Sequence, residues 1–415
     1  MKNYILLFSF LALFLVPNTS NAQEEEKLTV KVGGHIWAES IFDSRQTVSA
    51  REGNVLIFPK NEELDANGED INAKSNFNML NIHSRARIMV TAPRFLNAKV
   101  SGLLEGDFVG SADDKIGLFR LRHAMVKLNW EKTELMAGQF WHPMFTLDAF
   151  PQVASWNAGL PYFPLERSAQ IKYSYSATGN SKLSIAASTE LDFKSNGPNG
   201  PSTEYLRNSA VPELNATYVL GLKSNFLIGA NVGYKTLKPQ LSYMVGGLKY
   251  KSEESIGSYQ LSLFSKIKID KAAVRIGGIY GQNLFNFVML GGYGVSGSNS
   301  NGENEYTNFT AGSAWFDVDS GFIGEKTTLG IFAGYTKNFG ADDPITGAVY
   351  ARGTDIDFSY RISPRIEYGN GLVRFRGEVS YDTAAYGTAN TDYTKVQNTN
   401  NVNNVRFLFA TSLNF

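Results

Sequence analysis

The last twelve residues of the chain, Asn404 to Phe415, alternate strictly between two kinds of side chain. Successive side chains of a β-strand point to opposite sides, so this segment predicts a strand with two unlike faces. One face is apolar apart from a threonine and consists of Val405, Phe407, Phe409, Thr411, Leu413 and Phe415. The other is polar or small except at Leu408 and consists of Arg406, Ala410, Ser412 and Asn414. Such a strand suits a transmembrane barrel around a wet lumen, but a soluble β-sandwich could also contain it.

Residues 1–22 have the three parts of a secretory signal peptide. Lys2 is the positive n-region, residues 4–16 are the apolar core, and Ser20-Asn21-Ala22 is a small-residue cleavage site. The apolar core is too short to cross a bilayer as a helix. A buried N-terminal helix is the alternative, but three glutamates follow directly at 24–26. We therefore expect cleavage after Ala22, export from the cytoplasm, and a single domain over residues 23–415.

Beyond the signal peptide, the composition favours many strands over membrane helices. No apolar run approaches the ~20 residues that a helix needs to span a bilayer. The chain holds 39 glycines, 20 tyrosines and 28 phenylalanines, and its formal charge is zero. A neutral chain lacks the basic field that favours nucleic acid, so we predict no nucleic-acid partner. The absence of cysteine and the scattered positions of His35, His83, His123 and His142 predict no disulfide, no metal site and no cofactor.

Alternation with a period of two residues predicts sixteen strands. They are expected at 28–43, 81–93, 97–109, 117–130, 133–141, 167–177, 181–193, 210–220, 224–236, 257–270, 272–284, 306–319, 325–339, 353–368, 371–383 and 403–415. An even number is the rule in single-chain bacterial barrels, and about sixteen strands enclose an aqueous channel.

The connections between these strands alternate between short and long. Short links are expected at 93–97, 131–132, 178–180, 221–223, 271, 320–324 and 368–371. Long links are expected at 44–80, 142–166, 194–209, 237–256, 285–305, 340–352 and 384–402, and residues 241–250 are assigned to one of these loops. Only 110–116 breaks the pattern. This alternation predicts an all-β, up-and-down antiparallel transmembrane barrel with periplasmic turns and external loops, since a sandwich has no reason to show it.

The apolar faces of the strands are expected to meet lipid. They include Ile82, Ala86, Ile88 and Val90; Ala169, Ile171, Tyr173 and Tyr175; Phe226, Ile228, Ala230, Val232 and Tyr234; Ile356, Phe358, Tyr360 and Ile362; and Val373, Phe375, Val379 and Tyr381. Tyrosine and phenylalanine near strand ends suit aromatic girdles at the two membrane interfaces. The alternation becomes uncertain after His123, which predicts a β-bulge there.

Basic residues occupy the opposite, lumen-facing phase. The predicted pore-lining residues are His83, Arg85, Arg87, Arg120, Arg122, Arg361, Arg365, Arg374, Arg376 and Arg406. Clustered guanidinium groups attract anions and can hold carboxylates through two hydrogen bonds. Acidic residues share these faces at Glu105, Asp107, Asp355, Asp357, Glu378 and Asp382. The arginines therefore either select anions or pair with neighbouring acids to hydrate the lumen, and both effects can operate together.

The long link after the fifth strand is too aromatic to extend freely into water. Its candidate constriction residues are Trp141, His142, Phe145, Asp148, Phe150, Trp156, Tyr162 and Phe163. We expect this loop to fold into the barrel and narrow it between aromatic side chains and the arginines. The alternatives are a cap over the barrel mouth and a contact with another subunit.

Several segments, taken in their order along the chain, resemble the dicarboxylate-type (DcaP-like) outer-membrane porins. They are Gly34-His-Ile-Trp-Ala-Glu-Ser-Ile-Phe-Asp-Ser-Arg45, Arg85-Ala-Arg-Ile88, Arg120-Leu-Arg-His-Ala-Met-Val-Lys-Leu128 and Met136-Ala-Gly-Gln-Phe-Trp141. The resemblance is strongest over residues 30–180. It implies a sixteen-stranded homotrimeric porin for small, often anionic solutes. It also implies a constriction role for Arg85, Arg87, Arg120 and Arg122, although the acidic residues depart from a strongly anion-selective lining.

These observations together predict a passive porin of the outer membrane that is not an enzyme, since no Asp–His or Ser–His motif stands out. The terminal aromatic residue Phe415 resembles the last residue of bacterial outer-membrane proteins, which the barrel-assembly machinery recognises. Expected partners are hydrophilic solutes, outer-membrane lipid and lipopolysaccharide. The leading alternative is a barrel that acts as a surface receptor or adhesin through loops 44–80 and 285–305, which look solvated and adaptable. A soluble exported sandwich is the third possibility.

Overall fold

A computed structural model describes residues 27–155 and 157–415, which are mostly β-sheet. The strands are β1 (Thr29–Asp43), β2 (Thr47–Ala50), β3 (Val55–Pro59), β4 (Asn76–Leu80), β5 (Arg85–Phe95), β6 (Ala98–Asp107), β7 (Arg120–Asn129), β8 (Thr133–Trp141), β9 (Arg167–Tyr175), β10 (Ser181–Thr189), β11 (Glu213–Leu220), β12 (Phe226–Leu237), β13 (Ser242–Val245), β14 (Leu248–Lys251), β15 (Ile256–Ile269), β16 (Ala272–Gln282), β17 (Gly291–Ser298), β18 (Asn304–Ile323), β19 (Thr327–Ala341), β20 (Val349–Arg352), β21 (Ile356–Gly369), β22 (Val373–Ala389) and β23 (Val396–Asn414). The helical elements are α1 (Glu204–Ser209) and 3₁₀ turns at Ile71–Ala73, Asp113–Lys115 and Phe285–Phe287. In these two ranges, no helix combines the length and the apolar character that crossing a membrane requires. The expected signal peptide and Trp156 lie outside the described residues.

Sixteen strands form one closed antiparallel barrel, as predicted. They are β1, β5 to β12, β15, β16, β18, β19 and β21 to β23. The barrel closes where β1 pairs with β23, from His35 opposite Asn414 to Asp43 opposite Arg406. The other edge of β1 pairs with β5. Closure leaves the sheet without an exposed hydrogen-bonding edge, which is what a bilayer demands of a β-structure.

The predicted strand limits are close to the observed ones, and β8 covers residues 133–141 as expected. The largest differences occur at β22 and β23, which extend to Ala389 and begin at Val396. These extensions carry Thr, Asn and Gly instead of an alternating apolar face. Periodicity misses them because their buried residues, Ala384, Tyr386 and Val402, pack against the inward loop segments and follow no lipid-facing alternation.

The remaining strands belong to the long connections. Hairpins β2–β3 and β13–β14 form separate two-stranded sheets, while β4, β17 and β20 add to the barrel wall. Residues 241–250, which the sequence assigned to a loop, contain most of the β13–β14 hairpin and do not join the barrel. All long connections leave the same end of the barrel, which we call the loop end; the opposite end is the turn end.

The outward and inward faces follow the alternation in the sequence. In β12, Phe226, Val232 and Tyr234 point outward and are about half exposed, whereas Asn231 and Lys235 point inward and are fully buried. Two predicted lipid-facing residues are wrong, because Ile82 and Ile356 are buried inside. Ile82 precedes β5, and a register shift separates Ile356 from Ser359 in the pairing of β21 with β22. The prediction applied the two-residue alternation to positions that precede the regularly paired part of each strand.

A β-bulge lies in β7, close to the predicted position. In the pairing of β6 with β7, Glu105 is opposite His123 while Gly106 is opposite Leu121. Arg122 is therefore the additional residue. Because of the bulge, Arg122 and His123 are both buried on the inner side.

Three loop segments fold into the loop end of the barrel and form its largest apolar core. They are the β2–β3 hairpin, the β8–β9 connection and residues 284–290. Phe58, Phe163 and Phe287 from these segments pack in one cluster with Trp315 and Phe332 of the barrel wall. The prediction that loops 44–80 and 285–305 are solvated is wrong for these parts. Their apolar runs, Val55-Leu-Ile-Phe58 and Phe287-Val-Met-Leu290, gain free energy by leaving water.

Candidate functional site

A cavity of about 690 Å³ lies in the lumen beneath the inward β8–β9 connection. Phe145, Phe150 and Val153 of that connection cover it, and Gly321 and Thr328 place its other end near the turns. Nine arginines line it: Arg51, Arg85, Arg120, Arg122, Arg167, Arg275, Arg365, Arg374 and Arg376. His83 also lines the cavity, and its Nε2 lies 2.7 Å from Asn54 Oδ1 of the inward hairpin.

Strands β5 to β7 carry the first group of arginines. Arg122 donates from Nε to Glu105 and from Nη1 to Asp107, each at 2.8 Å. Arg120 donates from Nε to Asp107 at 2.8 Å. Arg85 Nη1 lies 3.5 Å from Glu105. Two carboxylates therefore hold three guanidinium groups in fixed positions on one wall.

Arg167 and Asp192 extend this network to the start of β9. Asp192 accepts hydrogen bonds from Arg167 and from Arg120, the latter at 3.1 Å. Burial acts against the charged form of Asp192, but the neighbouring guanidinium groups, Arg167 first, keep the pKa of its carboxyl below the ordinary value. Sequence reasoning missed Arg167, because its position matches the lipid-facing phase of β9. The sequence signal that could have identified Arg167 is its position directly after the aromatic loop, which folds into the lumen.

Trp141, the last residue of β8, lines the cavity. Its ring stacks on Phe145, with centroids 3.9 Å apart and planes inclined by 9°. The guanidinium carbons of Arg167 and Arg122 lie 5.0 and 5.6 Å from the Trp141 centroid, so cation–π attraction adds to the stacking. The aromatic loop and the arginines thus form one joined structure instead of two opposed surfaces.

The second group of arginines lies on β16, β21 and β22. Arg275 and Arg365 approach the two oxygens of Asp317 at 3.0 and 2.7 Å. Arg374 and Arg376 share Glu367 at 2.9 and 2.8 Å. Arg275 also contacts Asp319 at 2.5 Å. Arg275, like Arg51 in the β2–β3 hairpin, was not among the predicted site residues, although Arg275 occupies the inward phase of β16.

Every cavity arginine has a carboxylate within 4.0 Å, but the nine arginines share only seven acidic residues. The acids are Glu105, Asp107, Asp113, Asp192, Asp317, Asp319 and Glu367. Ion pairing between arginine and acid, one of the two sequence-based hypotheses, is therefore present. The cavity nevertheless retains an excess of positive charge.

Three lysines add positive charge to the inner face of the barrel outside the cavity lining. Lys172, Lys182 and Lys266 occupy inward positions of β9, β10 and β15. Over the described ranges, no carboxylate lies within 4.0 Å of any of the three. Asp148, at the inward loop, interacts electrostatically with Lys172 and Lys266. The predicted pore-lining residues did not include these lysines, although they lie in the polar phase of their strands.

Two predicted pore-lining arginines are enclosed and do not line the cavity. Arg361 is 1% exposed, pairs with Asp382 and donates to the Leu160 carbonyl at 2.7 Å. Arg406 is equally buried, and its Nη2 donates at 2.7 Å to Asp43 and to the Gly53 carbonyl. Both do point into the barrel, but the inward segments cover them, so they anchor loops. Arg87, in contrast, is exposed and lies outside the lining of the cavity.

The constriction-loop residues do fold inward, which excludes a cap over the mouth. Phe145, Phe150 and Trp141 line the cavity. Tyr162 and Phe163 are fully buried above it, and the Tyr162 hydroxyl lies 2.8 Å from Ser359 Oγ. Asp148 and His142 belong to the same inward segment but do not line the cavity. Trp156 lies outside the described residues.

His142 is buried with Ser188 and Glu213, a combination that deserves comparison with a catalytic triad. Glu213 Oε1 and Ser188 Oγ lie 3.2 and 3.5 Å from the same ring nitrogen, Nε2. The other nitrogen, Nδ1, accepts a hydrogen bond from the Met144 backbone. A triad requires the serine and the acid on opposite ring nitrogens. This geometry does not activate Ser188. In the part of the chain that the structure describes, no cluster of metal-binding side chains is found.

No family model and no curated protein sequence matches the chain. Among solved structures, the outer-membrane channel DcaP of Acinetobacter baumannii is similar over 96% of this chain and all of its own, with a TM-score of 0.67 and 15% identity. OmpT of Vibrio cholerae in its trimer form covers 94% of this chain and all of its own (TM-score 0.56, 12% identity). The anion-selective porin from Comamonas acidovorans also covers 94% of this chain and all of its own (0.55, 10%). The likeness to DcaP inferred from sequence is confirmed for the fold.

Proposed function

We propose that this protein is a channel of a bacterial outer membrane that lets small hydrophilic solutes diffuse passively and favours anions such as carboxylates. The observation that carries the proposal is the cavity in the lumen with its nine arginines. A sixteen-stranded barrel is wide enough for an aqueous path. Low-dielectric walls concentrate the field of an unbalanced positive charge, which raises the local concentration of anions.

Pairing with acids does not prevent an arginine from binding a solute. A guanidinium group has five N–H donors, and a carboxylate partner occupies one or two of them. Arg374 and Arg376 share the single acid Glu367, so donors remain for a passing anion. The acids also hold the side chains in place, which lowers the conformational entropy lost on binding.

The proposed activity involves no chemical step, so no catalytic residue or cofactor is assigned. The similar DcaP structure is described as an outer-membrane channel and the Comamonas protein as anion-selective. These descriptions support the same function here. The receptor or adhesin alternative loses support, because parts of both candidate loops are buried in the barrel.

Reversal potentials across planar bilayers test the selectivity. Wild-type protein in a potassium chloride gradient should pass chloride more readily than potassium. The double variant Arg85→Gln/Arg376→Gln removes two cavity charges and should shift the reversal potential toward potassium, because the field that attracts chloride is weaker. Folded protein that never conducts would contradict the channel proposal, and an unchanged reversal potential would contradict the selectivity.

The matched control is Lys74→Gln/Lys249→Gln. It removes the same number of positive charges from exposed positions in two long connections at the loop end, outside the cavity lining. Screening by salt makes such surface charges weak at about 0.1 M ionic strength and above. The control should keep the wild-type reversal potential. An equal shift in both variants would mean that overall charge, and not the cavity, sets the preference.

The remaining expectations belong to the same proposal. The OmpT trimer form supports a homotrimeric assembly here. Residence in the outer membrane implies contact with lipid and lipopolysaccharide, and insertion through Phe415 by the barrel-assembly machinery. Phe415 is exposed at the turn end, as such recognition would require. Export through a signal peptide cleaved after Ala22 stays a prediction of the sequence.

A further inference from the structure

A second group of polar side chains lies where the inward β8–β9 connection contacts the barrel wall, outside the lining of the cavity. Asn231 of β12 donates from Nδ2 to the Pro143 carbonyl of that connection at 2.6 Å. Met144 Cε lies 2.9 Å from the point where a Cβ on Gly233 would stand. We call this contact the polar seam, and its polar members are Asn215, Asn231, Gln260 and Ser262.

The register of three neighbouring strands, β11, β12 and β15, brings these four side chains together. Asn215 and Gln260 lie opposite Gly233 on its two sides. Two residues earlier in β12, Asn231 lies opposite Ser262. Residues two apart on a strand share a face, so the four side chains form one patch on the inner face of the barrel. Each of the four is at most 3% exposed.

Five polar atoms of the seam have no hydrogen-bond partner among the residues that the structure describes. They are Asn215 Oδ1, Asn231 Oδ1, Gln260 Oε1, Gln260 Nε2 and Ser262 Oγ. Asn215 Nδ2 donates to Glu213 at 3.3 Å, which fixes the orientation of that amide. The bond to Pro143 does the same for Asn231. The carbonyl oxygens of both amides are therefore acceptors that require a donor.

Gly233 allows two of these oxygens to converge. A Cβ at this position would stand 2.6 Å from Gln260 Oε1 and 2.7 Å from Asn215 Oδ1, which is closer than real contacts allow. The backbone of Gly233 does not adopt a left-handed conformation, so its φ angle does not require glycine. Glycine inside a strand often marks a site where another group approaches closely. Here both oxygens lie over the same glycine, within reach of one small bridging molecule.

Water is the ligand whose chemistry fits these atoms. Buried polar groups in folded proteins are almost always paired, and a bound water typically makes about three hydrogen bonds to groups that the protein does not pair itself. Water can donate to the carbonyl oxygens and accept from Gln260 Nε2. A monovalent cation would suit the oxygens but not that nitrogen. The ammonium group of Lys235, inward and fully buried on β12, also disfavours a cation.

We propose that the polar seam binds water molecules, which connect the inward β8–β9 connection to β11, β12 and β15. A bridging water is enthalpically nearly as good as a direct hydrogen bond. The segment that narrows the cavity is therefore supported in two ways, by stacking and cation–π contacts at Trp141 and by water at the seam. This inference goes beyond the transport function, since the seam binds water whether or not the barrel conducts.

Radiolytic footprinting tests the proposal on the wild-type protein in lipid vesicles. X-rays convert water to hydroxyl radicals, so a bound water oxidises a methionine beside it even where bulk solvent does not reach. Met144 and Met289 are both 0% exposed, but Met289 belongs to the apolar run Phe287 to Leu290. Met144 should be oxidised several times faster than Met289. Tyr162, which is equally buried in the same connection, should stay unmodified.

Two outcomes of this comparison would overturn the proposal. Equal oxidation of Met144 and Met289 would mean that no water is held beside Met144. Oxidation of Met144 together with Tyr162 would mean that the connection opens to bulk water. Both outcomes are read from the wild type, so the comparison stands even if a variant fails to fold.

A matched pair of variants assigns the water to the seam. Gln260→Leu removes two of the unpaired atoms and should slow the oxidation of Met144 several-fold, whereas an unchanged rate would contradict the assignment. The control Gln282→Leu changes an amide that donates to Asp342 at 2.5 Å outside the seam, and it should keep the wild-type rate. Heat-dependent gel mobility reports whether each barrel is folded.

Two further measurements separate this proposal from its neighbours. A melting temperature that potassium chloride raises more than tetramethylammonium chloride does, with a difference that Gln260→Leu abolishes, would replace water by a bound cation. Conductance across planar bilayers measures transport independently. A protein that never conducts but shows fast oxidation of Met144 would refute the channel and leave the water site standing.

Discussion

The two ends of the lumen use charged side chains in different ways. At the loop end, inward segments seal Arg361, Arg406 and Lys235 away from water. Toward the turn end, arginines such as Arg374 and Arg376 line a cavity of about 690 Å³. Arginines occur in both regions, but the sealed arginines contact backbone carbonyls of the loops as well as acids. A guanidinium group that is enclosed with full hydrogen bonding holds structure, and one that borders water remains available to solutes.

Replacement of Arg406 should give the largest effect and tests whether the loop end is sealed. Arg406→Met would leave Asp43 buried without its partner, since each side chain of the pair is 1% exposed. Breaking a buried pair by removing one partner costs about 3–5 kcal/mol. Urea unfolding in lipid vesicles should show a loss of this size, and protease should cleave more readily within 44–80, which Arg406 anchors through Gly53.

The double variant Asp43→Asn/Arg406→Met is the control for this prediction. It removes the orphan charge, so part of the lost stability should return, because a buried amide costs less than a buried carboxylate. If Arg406→Met lost less than about 1 kcal/mol, as surface ion pairs do, the loop end would be hydrated like the turn end.

The pH dependence of stability probes the same sealed region through Glu166. This carboxyl accepts a hydrogen bond from Asn286 at 2.7 Å, and Asn286 also accepts one from Lys235 at 2.5 Å. Burial, followed by the charges of Glu190 and Glu213, raises the pKa of Glu166 well above its usual value. An acid whose pKa is higher in the folded state contributes its full stabilisation below the unfolded value, and the contribution is lost as the pH rises through the folded value.

The stability that Glu166 contributes should therefore be lost as the pH is raised above about 4, so the melting temperature of the wild type should fall relative to that of Glu166→Gln. Glu166→Gln keeps an acceptor for Asn286 but cannot ionise, so its melting temperature should depend less on pH over the same window. The control Glu131→Gln, at an exposed turn, should follow the wild-type profile. A steep wild-type dependence that Glu166→Gln retains in full would assign the effect to another group.

The barrel could be predicted from sequence because lipid and water impose the alternation residue by residue. The predicted strands, including β8, and the bulge near His123 follow from that local rule. The rule does not apply at strand ends that contact folded loops instead of lipid. Ile82 and Ile356 lie at such ends and were therefore assigned to the wrong side. Loop segments have no periodic constraint. The inward folding of Val55 to Phe58 could be inferred only from their unbroken apolar character.

The candidate site was harder to predict, because it depends on where the loops end up. Arg85, Arg120 and Arg122 face the cavity as their strand phase required. Arg51 reaches it from a hairpin, and Arg167 reaches it against the phase of β9. Arg361 has the same phase as Arg365, yet the loop carbonyl of Leu160 covers it. Strand phase decides which side a residue faces, and tertiary contacts decide whether it meets water.

Replacement of Arg374 should give the smallest change in stability and completes the comparison. Arg374→Met is the same substitution as Arg406→Met, but the Arg374 side chain is 35% exposed, and Glu367 keeps a second partner in Arg376. Unfolding in urea should change by no more than about 0.5 kcal/mol, as is usual for such exposed positions. The reversal potential in a potassium chloride gradient should nevertheless move toward potassium, because one lining charge is lost. A variant with wild-type selectivity and a large loss of stability would reverse the assignment, since Arg374 would then act as an anchor like Arg406.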